Sequence, residues 1–297
     1  MKPTIALVGP GKVGSAIAQR LQQAGYPLAS VISRRQERAT EACRYIGCDV
    51  GVASSDLNSA LKAELILLAV PDDQIVNLAG DLARQPQTLS GKTLIHFSGL
   101  HPASCMRAIQ HPAAVLSIHP LLPFANRQIA SEKLAGCPCA LEGDSQGLDL
   151  GTQLIAAFNG RAFRIATEKK ALYHAGACIA SNFFVTLLAA ARDLLVDSGV
   201  SADEAISLLL PLVQASVDNV STLGPEQGLT GPIVRGDLGT VEQHLCSLLE
   251  QPELLGLYSL LAEHTVNLAE ASKRLSDKTA EQMKNIIIYH SKNLSPH

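Results

Sequence analysis

The sequence predicts an α/β protein: a doubly wound, mostly parallel sheet in the N-terminal half and an all-α domain after it. Three observations carry this. Short apolar runs alternate with helix-patterned stretches up to residue 166. A glycine-rich turn joins the first run to the first helix. Beyond residue 167 strand-like runs cease and helix patterns follow one another, so the expected domains are 1–166 and 167–297.

The first element is the run Thr4 to Val8, which feeds into Gly9-Pro10-Gly11-Lys12-Val13-Gly14 and a helix reaching Gly25. Gly9 permits the tight turn out of the strand. The bare backbone of Gly11 admits a phosphate, and Gly14 allows the helix to lie close to the strands. The helix N-terminus adds free N–H groups and partial positive charge. Strand, glycine turn, helix and strand in this order form the fingerprint of a Rossmann dinucleotide-binding unit.

The second strand ends in Ser33-Arg34-Arg35, with Arg38 one helical turn on. Sites for NAD usually place a carboxylate here to bond the ribose hydroxyls. Guanidinium groups instead bind a 2′-phosphate through paired, charge-assisted hydrogen bonds, so NADP is the expected cofactor, with Arg34 the leading contact. The plainer reading makes Arg35 and Arg38 the solvated face of the next helix.

A helix is expected at 36–46, a short strand at Asp49 to Val52 and a small helix at 57–62. The continuous apolar run 64–70 suits a strand buried on both faces. It ends at Val70-Pro71, counted with the cofactor contacts, and Asp72 or Asp73 is expected to cap the next helix. Strands at Thr93 to Phe97, Ala114 to Ile118, Pro138 to Glu142 and Arg161 to Ile165, with a helix at 148–158, complete a sheet of seven or eight strands. A long helix then runs from Glu168 to Asp197, and Ser201 opens the next with a capping signal. Residues Gly224 to Pro232 read as a loop, and helices follow at 238–249, 252–275 and 279–293.

Composition excludes several function classes. With 4% aromatic residues, no Trp and a net charge of −3, neither stacking surfaces nor a basic footprint for nucleic acid is present. The seven cysteines form no zinc-like spacing, and a bound metal is not expected. They read as buried thiols. The first strand begins almost at once, so no signal peptide is expected, and no apolar run is read as membrane-spanning. A cytoplasmic protein without nucleic-acid or membrane partners is the expectation.

Ligands of open parallel sheets bind beyond the carboxyl ends of the strands. Ser98, after His96-Phe97, and His119, before Pro120, stand at two such ends and are candidates for bonding the substrate or donating a proton. His96 is read as structural. On the long helix, regular α-helical spacing puts His174 and Ser181 within about 20° of each other, with Lys170 on one side and Asn182 about 80° round. His174 and Asn182 are the candidate catalytic pair, with Ser181 and Arg235 as substrate contacts. Asp237 is expected to cap the helix after Arg235.

The segments GPGKVG, SRR, HFSGL, SIHPLLPFA, YHAGACIASNF and LTGPIVRGDLGTVEQHL carry a resemblance. The chain resembles the family that pairs a Rossmann-like domain with a helical domain of unknown function. Its members are labelled NADP oxidoreductases by similarity to the deazaflavin-dependent NADP reductases. Pyrroline-5-carboxylate reductase, ketopantoate reductase and the 6-phosphogluconate and 3-hydroxyisobutyrate dehydrogenases are wider kin. The resemblance implies a helical domain of the 6-phosphogluconate-dehydrogenase type and a homodimer built through it. Two departures stand out. The hydroxyisobutyrate-type enzymes keep a lysine–asparagine pair on the long helix, whereas Leu172 and Tyr173 stand three residues beyond Lys169 and Lys170. The serine-glycine signature of the pyrroline reductases is absent there as well.

The expected function is hydride transfer between NADP and a small C=O, C=N or C–OH substrate in an interdomain cleft, with His174 handling the proton. Two alternatives stand beside it. One is a protein that senses NADP(H) or a metabolite without catalysis. The other is a reductase whose second substrate is a deazaflavin.

Overall fold

A computed structural model of the chain describes residues 1–84, 89–124 and 131–292. The chain divides into two compact units, Met1–Phe183 and Phe184–His297. Two of the segments read from sequence end outside the described residues, the last helix at Asn293 and SIHPLLPFA at Ala125.

The first unit contains β1 (Ile5–Val8), α1 (Lys12–Gln23), β2 (Leu28–Ile32), α2 (Gln36–Ile46), β3 (Ala53–Ser54), β4 (Leu65–Leu68) and α3 (Asp72–Ala83). It continues with β5 (Thr93–His96), β6 (Ala114–Pro120), β7 (Pro138–Gly143), α4 (Leu148–Ala157), β8 (Arg161–Arg164) and α5 (Lys170–Cys178). The eight strands form one sheet in the order β3-β2-β1-β4-β5-β6-β7-β8. Pairing is parallel throughout except between β6 and β7. The order reverses between β1 and β4, the switch point at which such sheets open a crevice for ligands.

Alternation along the central strands feeds two cores. Ile5, Leu7, Leu65, Leu67 and Ile95 pack into one face, and Ala6, Val8, Ile66, Leu68 and Leu94 into the other. This double burial explains why the strands read as unbroken apolar runs.

Several local expectations change. Asp49 to Val52 is not a strand: the Asp49 carboxylate accepts the Gly51 N–H and winds Val50–Val52 into a 3-10 turn, so β3 begins at Ala53. Leu57–Lys62 is also 3-10. Neither Asp72 nor Asp73 caps α3, because Pro71 occupies the cap position. Among the cysteines, Cys43, Cys137 and Cys139 are buried, whereas Cys246 is exposed.

The second unit is helical: α6 (Phe184–Asp197), α7 (Ala202–Gly228), α8 (Leu238–Ser247), α9 (Pro252–Ala271) and α10 (Asp277–Lys292). Val241, Leu245, Val266, Met283 and Ile287 lie in its core. The first part of the segment read as a loop is instead a kink at Gly224 and Pro225, after which α7 continues to Gly228, and Leu229 to Pro232 is non-helical as read. The Arg274 guanidinium holds the end of α7 by donating to the carbonyls of Glu226, Gln227 and Leu229. Asp237 caps α8 as expected, accepting from the Thr240 N–H at 3.1 Å.

One sequence expectation is overturned. Residues 171–191 contain no Asp, Glu, Lys or Arg. By length and composition, the helical stretches Thr167–Asp197 and Ala202–Gly228 are both long and apolar enough to cross a membrane. Polar but uncharged residues such as His174 and Asn182 had masked the run.

The tightest turn supplies the test of the fold. Gly9 has φ +83°, and a Cβ there would lie 2.5 Å from Val70 Cγ1 and 2.7 Å from the Ala69 carbonyl oxygen. Gly9→Ala is expected to cost about 2–3 kcal/mol through strain and clash, read as a lower urea midpoint with unchanged m-value.

Candidate functional site

The cofactor crevice forms first. A cleft of about 1150 Å³ lies at the carboxyl ends of β1, β2 and β4, lined by Gly9, Pro10, Gly11, Ser33, Arg34, Arg35, Arg38, Val70, Pro71 and Asp73, among others. Its floor fits a dinucleotide. A Cβ at Gly11 would meet nothing within 4 Å, so the space over this turn is open. A Cβ at Gly14 would lie 2.6 Å from Ala69 Cβ, which is the close helix–strand approach expected of the third glycine. No side chain caps α1, leaving its first N–H groups available to an anion. Lys12, Val13 and Gly14 form the first turn of that helix rather than the cleft wall. Arg34 and Arg35 are exposed on the wall, where a 2′-phosphate would meet them.

A chain of contacts leads from this cleft to a second cluster. Pro71 and Asp73 line the cleft, and Asp72 between them accepts a hydrogen bond from Ser98 Oγ at 2.8 Å. Ser98 Oγ also accepts the N–H groups of Leu100 (3.1 Å) and His101 (2.9 Å). The hydroxyl proposed from sequence to bond substrate is therefore engaged in shaping the turn after β5. Gly99 follows, and a methyl there would lie 2.3 Å from His174 Nδ1 and 2.9 Å from His119 Nε2. Only a residue without a side chain lets both imidazoles close onto this turn.

His119 Nδ1 and the Tyr173 hydroxyl are hydrogen-bonded at 2.7 Å. His174 stands edge-on to His119, with ring centroids 5.6 Å apart. Burial depresses the His119 pKa to about 4, helped by the neighbouring His174 and Lys170, while Asp72 opposes the shift. Burial also raises the Tyr173 pKa. At neutral pH the pair is an uncharged imidazole and a protonated phenol. His174 Nδ1 is buried with no hydrogen-bond partner among the described residues, and Nε2 faces the Cys178 thiol at 3.7 Å. A buried ring nitrogen without a partner is costly, on the order of 1–3 kcal/mol, and is suited to meeting a ligand.

Beneath this cluster lies a buried ion pair. Lys170 Nζ donates to Glu142 Oε1 at 3.0 Å and to Ser117 Oγ, and both charged side chains are almost fully buried, at 2% and 3% exposure. Glu142 also accepts the Ala103 N–H at 2.7 Å and the Thr167 hydroxyl at 3.0 Å. Burial pulls the Lys170 pKa down, against the pull of Glu142. His96, read as structural, is wholly buried in β5, and its Nδ1 accepts the Ser98 N–H at 3.2 Å.

The structure therefore brings Ser98, His119 and His174 together. The pairing of His174 with Ser181 and Asn182 rested on regular α-helical phase. A π-helical turn at Ile179–Phe183 interrupts that phase, so the angular argument fails for both. Arg235 is exposed in the second unit, on the turn before α8. Sequence reasoning passed over Tyr173 and Glu142. The available signals were a carboxylate in an otherwise apolar strand and an aromatic hydroxyl beside a histidine.

Comparison with known proteins bears on the fold and on the class of cofactor. Residues 4–98 match the family described as NADP oxidoreductase, coenzyme F420-dependent. Residues 137–265 match a domain of unknown function, DUF2520. No curated protein matches the chain significantly. Among solved structures, protein TM1727 from Thermotoga maritima is 26% identical with a TM-score of 0.72, covering 91% of this chain and 99% of its own. BF3122 from Bacteroides fragilis, a proposed NADP oxidoreductase, is 22% identical with a TM-score of 0.68, covering 89% and 98%. The pyrroline carboxylate reductase of Plasmodium falciparum, solved with NADP bound, is 16% identical with a TM-score of 0.58, covering 96% and 98%. The chain is therefore similar over residues 4–98 to the coenzyme F420-dependent NADP oxidoreductases and over residues 137–265 to DUF2520.

Proposed function

We propose that the protein is an NADP-dependent oxidoreductase acting on a small C=O, C=N or C–OH substrate at the His119–Tyr173–His174 cluster. The observation that carries this reading is the continuity from cleft to cluster: Pro71 and Asp73 on the cleft wall, Asp72 bonded to Ser98, and Gly99 against both imidazoles. The NADP nicotinamide supplies or takes the hydride. Gly9, Pro10 and Gly11 would hold the pyrophosphate, and Arg34 and Arg35 the 2′-phosphate.

The chain's own groups then divide the remaining work. With Tyr173 donating to Nδ1, the neutral His119 carries its proton on Nε2, an N–H donor for the substrate's oxygen or nitrogen. His174, beside it, exchanges the proton as the substrate heteroatom gains or loses charge. The pyrroline carboxylate reductase fold and its NADP favour a C=N or C=O acceptor.

A homodimer through the helical unit is part of the proposal. Phe184, Val185, Leu208, Leu212, Val217 and Leu223 are exposed large apolar residues of that unit. A second copy of the chain is the surface that would bury them. The family description of residues 4–98 supports one further reading, in which a deazaflavin is the hydride partner.

Three outcomes test these assignments. NADPH is expected to bind at least about tenfold more tightly than NADH, and Arg34→Ala to erase that difference, by fluorescence titration. Equal affinities in the unaltered protein would remove the 2′-phosphate argument. In a screen of imines, keto acids, hydroxy acids and a reduced deazaflavin, Gly99→Ala is expected to lower kcat/KM by about 100-fold or more with NADPH affinity little changed. Turnover of the deazaflavin alone would replace the small-substrate reading, and binding without any turnover would favour a sensor. Sedimentation is expected to give a dimer that Leu212→Glu weakens; a monomer that partitions onto vesicles would count against it.

A further inference from the structure

The residues that hold the site in place lie one layer below it. Ser117 of β6 and Glu142 of β7 are direct cross-strand partners, so their side chains stand side by side on one face of the sheet. His119 is two residues beyond Ser117 and shares that face. Across from them, Lys170 opens α5, and Tyr173 and His174 follow at the three- and four-residue spacing that keeps them on its side of the helix. A two-residue step along a strand is about 6.6 Å and one helical turn about 5.4 Å, so the two series run nearly in step. Lys170 meets Ser117 and Glu142, and one turn later Tyr173 meets His119.

We propose that the buried Lys170–Glu142 pair is the positioning device of this site, locking the turn that carries Tyr173 and His174 against the ends of β5 and β6. The inference rests on the reading of His119 and Tyr173 as substrate-facing groups. The Glu142 carboxylate accepts from three partners: Lys170, Thr167 at the approach to α5, and the Ala103 N–H in the segment after β5; Ser117 is its register partner across the strand pair. Ser117 Oγ in turn donates to the Ser98 carbonyl at 3.4 Å. A buried ion pair contributes little net stability compared with apolar groups of the same shape, so fixing geometry is the role it performs best.

The pair has a second, electrostatic consequence. The groups that face His119 are Tyr173, His174 and Lys170 from the helix, Asp72 from the start of α3 and His96 from β5. Of these, Lys170 is ion-paired with Glu142 and disfavours a second cation on His119, whereas Asp72 favours one. Removing the lysine charge therefore raises the pH at which His119 becomes protonated.

The test is the paired variant Lys170→Met/Glu142→Gln, which removes both charges and leaves no lone buried ion. Its His119 ring, followed by NMR of labelled histidine in the intact protein, is expected to titrate measurably higher than in the unaltered protein. NADPH affinity, set by the separate glycine and arginine cleft, is expected to stay within about threefold. With an accepted substrate, kcat is expected to fall about tenfold or more with little change in KM, and the acid limb of the rate profile to move up with His119. A folded variant whose His119 titration is unmoved would overturn the proposal. If the paired variant does not fold, Lys170→Gln/Glu142→Gln removes both charges while keeping a hydrogen-bonding side chain at each position, and the same upward shift or its absence decides. Lys170→Arg is expected to restore the low titration. These readings need no turnover, so a protein that reduces no substrate would refute the enzyme assignment and leave this test standing.

Discussion

Parallel pairing of β1, β4, β5 and β6 is the constraint on which the rest of the first unit depends. Parallel strands deliver their carboxyl ends to one edge of the sheet, so whatever follows each strand arrives at the same place. Gly9 follows β1, Pro71 follows β4, Ser98 and Gly99 follow β5, and His119 lies near the end of β6. Residues separated by up to 110 positions thereby reach the same edge of the sheet. The strands hold this edge because they are buried on both faces, each feeding alternate side chains into one of two cores. The single antiparallel step, β6 to β7, has a different consequence. It sets Glu142 opposite Ser117 and brings a carboxylate under the cluster.

That carboxylate introduces a large electrostatic cost. Removing one member of a buried ion pair typically costs about 3–5 kcal/mol, because its partner is left charged without compensation. Here the cost is met by saturation: Lys170, Ala103 and Thr167 all donate to Glu142, and Lys170 also reaches Ser117. The His119–Tyr173 pair above is uncharged by contrast. His119 is neutral and Tyr173 protonated at pH 7, both because burial penalises their charged forms. A fixed charge pair below and neutral hydrogen-bonding groups above give a site whose polarity is set before a ligand arrives.

The legible part of the sequence was the part governed by local rules. Glycine spacing, strand runs and the arginines after β2 act over a few residues, and each is visible as a pattern. The sheet and the cofactor edge followed from them. The cluster was legible only in fragments. His119 and Ser98 were found because strand ends are positions with known consequences. His174 was found because a polar residue stood out in an apolar helix. Tyr173 was missed because an aromatic in such a helix reads as core, and nothing local reveals that its hydroxyl meets a histidine 54 residues earlier. Glu142 was missed because its partners come from three other segments. Ser181 and Asn182 were misplaced in phase by a π-helical turn, which has no dependable sequence signal.

The two apolar helical stretches raise a question on which the site bears. By length and composition each would serve as a membrane span. The first, however, begins with residues committed to the sheet. Lys170 is bonded to Glu142 and Ser117, and Tyr173 to His119. Placing that stretch in a bilayer would break these bonds, leave Glu142 without its cation and carry Lys170 toward hydrocarbon, where a charge costs several kcal/mol. The second stretch carries Asp218 and is broken at Gly224 and Pro225. A folded protein surface asks for none of these changes. A second copy, as proposed above, would bury the exposed Leu212, Val217 and Leu223 while the ion pair, the hydrogen bond to His119 and the kink stayed as they are.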